Sequence, residues 1–142
     1  LAPYTMFIGS GALWGETILF SMCILEEMQW KRTRYITSAD FFHGTLELVE
    51  PGVPVFLFMG EDENRKLDER VRAFLTRGVT GDTDINIIDT AEFAIPGLDD
   101  EFRVIVSPWI LSSLITDRLA AYYETVTKHN LNYRRYYHQF DY

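Results

Sequence analysis

Residues Val53 to Met59 limit what this chain can fold into more than any other stretch, because they form an unbroken apolar run set between Pro51-Gly52 and Gly60. A strand with one wet face alternates apolar and polar side chains; one without alternation is covered on both faces, as in parallel sheets sandwiched by helices. The run is therefore expected to be a central strand. Tyr4 to Ile8, Tyr35-Ile36-Thr37 and Asp84 to Asp89 read as three further short strands. Between and after them lie segments with helical spacing: Leu13 to Lys31, a helix capped by Ser38 or Asp40 that carries Phe41 to Val49, Arg65 to Arg77, and Phe102 to Lys128. Pro108 is expected to break or kink the last of these. Strands alternating with helices imply an α/β fold, a three-layer α-β-α sandwich with a mainly parallel sheet and right-handed crossovers. In such folds ligands sit beyond the carboxyl ends of the strands, where Gly9-Ser10-Gly11, Glu61 and the turn after Thr37 fall.

With 142 residues and 47% hydrophobic content, one globular domain with its own core is expected. Twenty-one acidic against 13 basic residues give a net charge of −8, which argues against a nucleic acid or an anionic membrane as partner. Charged residues interrupt every stretch long enough for a membrane span, and no basic-then-apolar leader opens the chain. The single Cys23 sits in an apolar helical run, reads as a small buried hydrophobe, and fits a reducing, cytoplasmic setting. The chain opens without Met shortly before a strand, and the expectation is a piece of a longer protein. Trp109, Ile110, Leu114, Ile115, Leu119, Tyr122 and Tyr123 give the last helix a broad apolar face, expected to pack between domains or subunits. The aromatic, partly basic tail from residue 131 to 142 is expected to dock.

Two chemically suggestive places remain. Glu26 and Glu27 close the first long helix, where the negative end of the macrodipole disfavours each by roughly 0.3–1 kcal/mol. Glu16, Phe20, Cys23 and Glu27 fall on one line of an α-helix, with Glu26 turned about 100° away. The ordinary reading pairs Glu27 with Lys31 at i,i+4 and leaves Glu26 in solvent. His43, between Phe41-Phe42 and Gly44, carries an imidazole suited to proton transfer near neutral pH; the ordinary reading is a satisfied histidine at a helix start. Ser10 and Gly11 either open a helix N-terminus to an anion or simply make a tight βα turn. His129 and His138 have no metal-ligand spacing with His43, and no metal or organic cofactor is expected.

Glu27 and His43 stand sixteen residues apart, and His43-Gly44 is followed by an aliphatic helix and a Pro-Gly-Val-Pro strand. This arrangement resembles the second sugar isomerase (SIS) domain of phosphosugar enzymes, whose sheet is flavodoxin-like. Glu-Met-Gln-Trp at 27–30, Phe-Phe-His-Gly at 41–44, Asp68-Glu69-Arg70 and Arg134-Arg135-Tyr136 are similar to the bacterial deglycases of phosphorylated Amadori products, the fructoselysine, glucoselysine and fructose-aspartate 6-phosphate types. The resemblance implies the C-terminal SIS domain of a two-SIS-domain homodimer. It implies hydrolysis of a 6-phosphorylated sugar–amino acid adduct, with Glu27 as acid/base between C1 and C2 and His43 assisting ring opening or a leaving group. Ser10 and Gly11 are the candidate substrate contacts. An aldose–ketose isomerase, or the isomerase domain of a glucosamine-6-phosphate synthase, is the alternative within enzymes, although the tail has no lysine after Lys128. A sugar-sensing domain of a transcriptional regulator is the alternative outside them. The acidic loop Gly60-Glu61-Asp62-Glu63 lacks the hydroxyls that hold phosphate in such proteins, so the phosphate is expected to be held by the other half.

Overall fold

The computed structural model describes residues 2–78 and 80–142. Four strands, β1 (Thr5–Ile8), β2 (Thr33–Ile36), β3 (Val55–Met59) and β4 (Ile85–Asp89), form one sheet in the order β2-β1-β3-β4. Every pairing is parallel, with Ile8 opposite both Ile36 and Leu57 and Met59 opposite Asp89. This is the sandwich the sequence predicts. β3 is interior, and its alternate side chains feed two separate cores. Val55, Leu57 and Met59 join Met6, Ile8, Phe41, Val71 and Leu75 on one face; Phe58 joins Phe7, Leu13, Phe20, Leu25, Leu111 and Ile115 on the other. The first core is roofed by α2 (Ser38–Phe41) and α3 (Arg65–Leu75), the second by α1 (residues 11–28) and α4 (Asp100–Thr127).

The helices depart from expectation in ways that matter for the site. α1 tightens at Gly11–Leu13, runs as α-helix over Trp14–Ile18, and is π-helical over Leu19–Met28. The wider turn breaks the predicted line through Glu16, Phe20, Cys23 and Glu27: the buried positions are instead Phe20, Ser21, Ile24, Leu25 and Gln29, and Cys23 is only half-buried. α2 is much shorter than expected. Thr37 rather than Ser38 or Asp40 caps it, its hydroxyl accepting from the Asp40 N–H, and Gly44 at φ 127° ends the run before a 3-10 turn at Thr45–Leu48.

Pro108 does not break α4. A proline at this position has no N–H for the Val104 carbonyl; the buried Ser107 hydroxyl donates to that carbonyl instead, at 3.1 Å. Ser107→Ala should therefore orphan a carbonyl inside the helix, costing about 1 kcal/mol and lowering the melting temperature by about 3–5 °C; an unchanged thermal scan would show that water takes the bond. The apolar face of α4 is divided. Leu111, Ile115 and Ala120 are core residues, while Ile105, Trp109, Tyr122 and Val126 stand exposed. By length and composition the 28-residue α4 could cross a membrane, but its buried side belongs to the second core.

Candidate active site

The end of α1 is built around Trp30. Its backbone is left-handed at φ 54°, a conformation that costs an L-residue roughly 1–2 kcal/mol. The turn lets the Lys31 N–H donate back to the Leu25 carbonyl at 2.8 Å, and the Gln29 N–H to that of Ile24 at 3.0 Å. Gln29 points inward and ties α1 to the end of α4, since its amide donates to the His129 carbonyl at 2.7 Å and accepts from the Thr127 hydroxyl at 2.8 Å. These bonds deliver the tail to the two glutamates.

Glu27 is paired with Arg134, not with Lys31: Arg134 Nε lies 2.8 Å from Glu27 Oε1. Arg134 is itself steadied by the carbonyls of Leu131 at 2.7 Å and Tyr133 at 2.9 Å. Arg135 stacks its guanidinium 4.1 Å from the centre of the Trp30 ring, and the His129 ring meets the same indole edge-on at 4.4 Å. Leu131 and Arg134 are half-buried, while Tyr133, Tyr136, Tyr137, Phe140 and Tyr142 are exposed. Glu26 is not free in solvent; its Oε1 accepts from the Thr33 hydroxyl at 2.5 Å. The Cys23 thiol is pushed above its usual range, first by burial and then by the Glu27 carboxylate, so it is a thiol rather than a nucleophilic thiolate at neutral pH.

The glutamates, Trp30 and the tail surround an open cleft of about 1010 Å³. It also takes in Ala2, Pro3 and Thr33 at the strand starts, so it lies at the amino edge of the sheet and not beyond the carboxyl ends. His43 is exposed in the turn after α2, its N–H donating to the Asp40 carbonyl at 2.9 Å, and it does not line this cleft. One chain therefore presents Glu27 and His43 separately.

Ser10 and Gly11 lie at the opposite edge and are engaged from within. The Ser10 hydroxyl accepts from the Ser38 N–H at 2.8 Å. The start of α1 faces the protein's own carboxylate, Asp62, which accepts from the Ala12 N–H at 2.5 Å and from the Asn64 N–H at 2.7 Å. A side chain on Gly11, already at φ 53°, would run into that carboxylate. Glu61 is likewise matched, by Arg103 at 2.5 Å. The acidic loop is thus an internal clamp between α1, β3 and α4, and its carboxylate fills the position an incoming anion would take at this helix start.

Sequence reasoning named Glu27 and His43 but missed Arg134 as the glutamate's partner and Trp30 as the support for Arg135. The available signal is the density of arginine and aromatic residues in the tail, whose Arg134-Arg135-Tyr136 carries part of the resemblance and a docking expectation but no pairing with Glu27 of the same chain.

No protein-family model matches the chain. The chain is 32% identical over 136 residues to the fructosamine deglycase FrlB of Bacillus subtilis, covering 94% of this chain and 39% of that protein. It is 35% identical over 116 residues to the fructoselysine 6-phosphate deglycase of Escherichia coli, covering 80% of this chain and 31% of that one. A crystal structure of a Bacillus subtilis protein described as a phosphosugar isomerase superposes with a TM-score of 0.87 at 28% identity, covering 99% of this chain and 42% of that chain. The chain spans about a third to two fifths of the length of these proteins. On sequence and fold together, the chain is homologous, over the part it spans, to fructosamine and fructoselysine 6-phosphate deglycases, and its α/β fold is the SIS fold of phosphosugar isomerases.

Proposed function

We propose that the chain is the C-terminal SIS domain of a longer two-SIS-domain deglycase that hydrolyses a 6-phosphorylated sugar–amino acid adduct to a hexose 6-phosphate and a free amino acid. The observation that carries the reading is Glu27, in the motif that resembles the deglycases, held by Arg134 at 2.8 Å on the wall of a cleft large enough for a sugar adduct. In a fructosamine adduct Glu27 would take the proton from C1 of the opened sugar and return it at C2. The C1–N bond becomes an imine, water adds at C1, and the C–N bond breaks as the amine leaves with a proton. A carboxylate suits the carbon-bound proton and an imidazole the oxygen or nitrogen. His43 would serve the second role from a neighbouring subunit, a reading supported by its exposure and its absence from the Glu27 cleft of its own chain. A C₂ dimer would then complete two equal sites.

The test is to incubate the full-length protein with 6-phosphorylated adducts of several amino acids and to quantify hexose 6-phosphate and free amine together. Equal release of both is expected. Interconversion of aldose and ketose phosphates with every amine adduct left intact would replace this reading with an isomerase.

A further inference from the structure

The cleft around Glu27 is lined by four cationic side chains, Lys31, Arg32, Arg134 and Arg135, against two carboxylates, Glu26 and Glu27. This local excess of two positive charges occurs in a chain whose net charge is −8. Arg134 is neutralised by Glu27, whereas Lys31, Arg32 and Arg135 have no acidic partner among the described residues. Arg135 is also positioned: its guanidinium carbon lies 4.1 Å over the Trp30 ring, and the His129 ring meets the same indole edge-on. A guanidinium held over an aromatic ring keeps N–H groups available for a planar, bidentate acceptor, and those of Arg135 have no hydrogen-bond partner among the described residues. The left-handed backbone at Trp30 is the kind of strained conformation that persists where the surroundings require a side chain in one place.

Resting on the deglycase reading above, we propose that Arg135, supported by Trp30 and joined by Lys31 and Arg32, forms a subsite for the carboxylate of the adduct's amino acid portion, so that the enzyme selects adducts of amino acids over adducts of simple amines. The sugar phosphate is the other anion of the substrate. The carboxylate is favoured because it is planar and matches a stacked guanidinium edge to edge. It also lies on the amine side of the C1–N bond, which must remain near Glu27.

Binding can be separated from chemistry in full-length protein carrying Glu27→Gln. Calorimetry would compare two 6-phosphorylated adducts, one of lysine linked through its side-chain nitrogen and one of an alkylamine of equal length without the carboxylate. The lysine adduct should bind at least tenfold tighter, and Arg135→Ala should abolish that preference while changing the alkylamine affinity less than twofold. Lys31→Gln should reduce the preference in the same direction. Equal weakening of both adducts by Arg135→Ala would assign the guanidinium to the phosphate and overturn the proposal, as would equal affinity of the unsubstituted protein for the two adducts. Failure of the deglycase reading would show elsewhere, as absence of amine release by the unsubstituted enzyme.

Discussion

Replacing Glu27 by Gln in the full-length protein should lower turnover by about 10²–10⁴-fold with the fold and adduct binding retained. The amide keeps the shape and one acceptor oxygen of the carboxylate but cannot carry a proton from one carbon to the next. The ion pair with Arg134 joins side chains 27% and 17% exposed, and partly exposed pairs contribute about 0–1 kcal/mol, so the variant should fold. His43→Ala should produce a loss of similar order by removing the second proton carrier. Because His43 does not line the Glu27 cleft of its own chain, chains carrying only one substitution should complement each other. Mixed dimers would pair an intact Glu27 from one subunit with an intact His43 from the other, and about a quarter of the wild-type rate is the statistical ceiling for random exchange with one restored site per heterodimer. Circular dichroism, subunit exchange and amine release measured on the same samples decide the matter. A well-folded Gln variant with full activity would return Glu27 to a purely structural pairing, and absence of recovery after proven exchange would place both residues in one subunit's site.

What was legible in the sequence is what short-range pattern encodes. The unalternating run Val53 to Met59 gave the interior strand because a residue type either tolerates burial on both faces or does not, and the spacing of Val71 and Leu75 gave the buried side of α3. The reach of α2 was overestimated, since the apolar residues after Gly44 keep helical spacing while the backbone at φ 127° leaves the helix. The π-helical half of α1 was invisible for a related reason. Wide turns are selected by what packs against them, here the bonds of Gln29 to Thr127 and His129, and not by local propensity. The pairs at the carboxyl edge of the sheet join residues far apart in the chain: Arg103 meets Glu61 across 42 positions, and Ser38 meets Asp68 across 30. One sequence shows that the charges exist but not which oppose each other. Hence the internal partners of Glu61 and Asp62 are not legible in the acidity of the loop, and the ordinary i,i+4 spacing offers Glu27 the nearby Lys31 where the structure pairs it with Arg134.

Two buried aspartates at the carboxyl edge should give opposite pH dependences when replaced by Asn. Asp89, at the end of β4, accepts from both terminal nitrogens of Arg65 at 2.9 and 2.7 Å. That arginine holds its carboxyl below the usual range, with the Ala91 N–H helping and burial opposing. A group whose native pKa is lowered contributes its stability above the unfolded value of about 3.9 and loses it as pH falls toward the native value. Asp89→Asn keeps the bond to Ala91 and removes the charge opposite Arg65, so it should cost about 2 kcal/mol near neutral pH and progressively less below pH 4. Asp68, 1% exposed, forms no ion pair among the described residues; its oxygens accept from the Ser38 hydroxyl at 2.5 Å and the Gly60 N–H at 3.2 Å. Burial pushes its carboxyl up, against the pull of those two bonds. A raised native pKa contributes stability that is full below about pH 3.9 and is lost as pH rises through the native value. Asn reproduces the neutral acid, donating to Ser38 and accepting from Gly60, so Asp68→Asn should match wild type in acid and gain on it as pH rises. Urea unfolding of the three chains from pH 3 to pH 7 should show the Asp89→Asn deficit widening while the Asp68→Asn difference moves the other way. Parallel pH profiles for the two variants would mean that Asp68 is ionised at no cost in the fold, with a cation or water satisfying it.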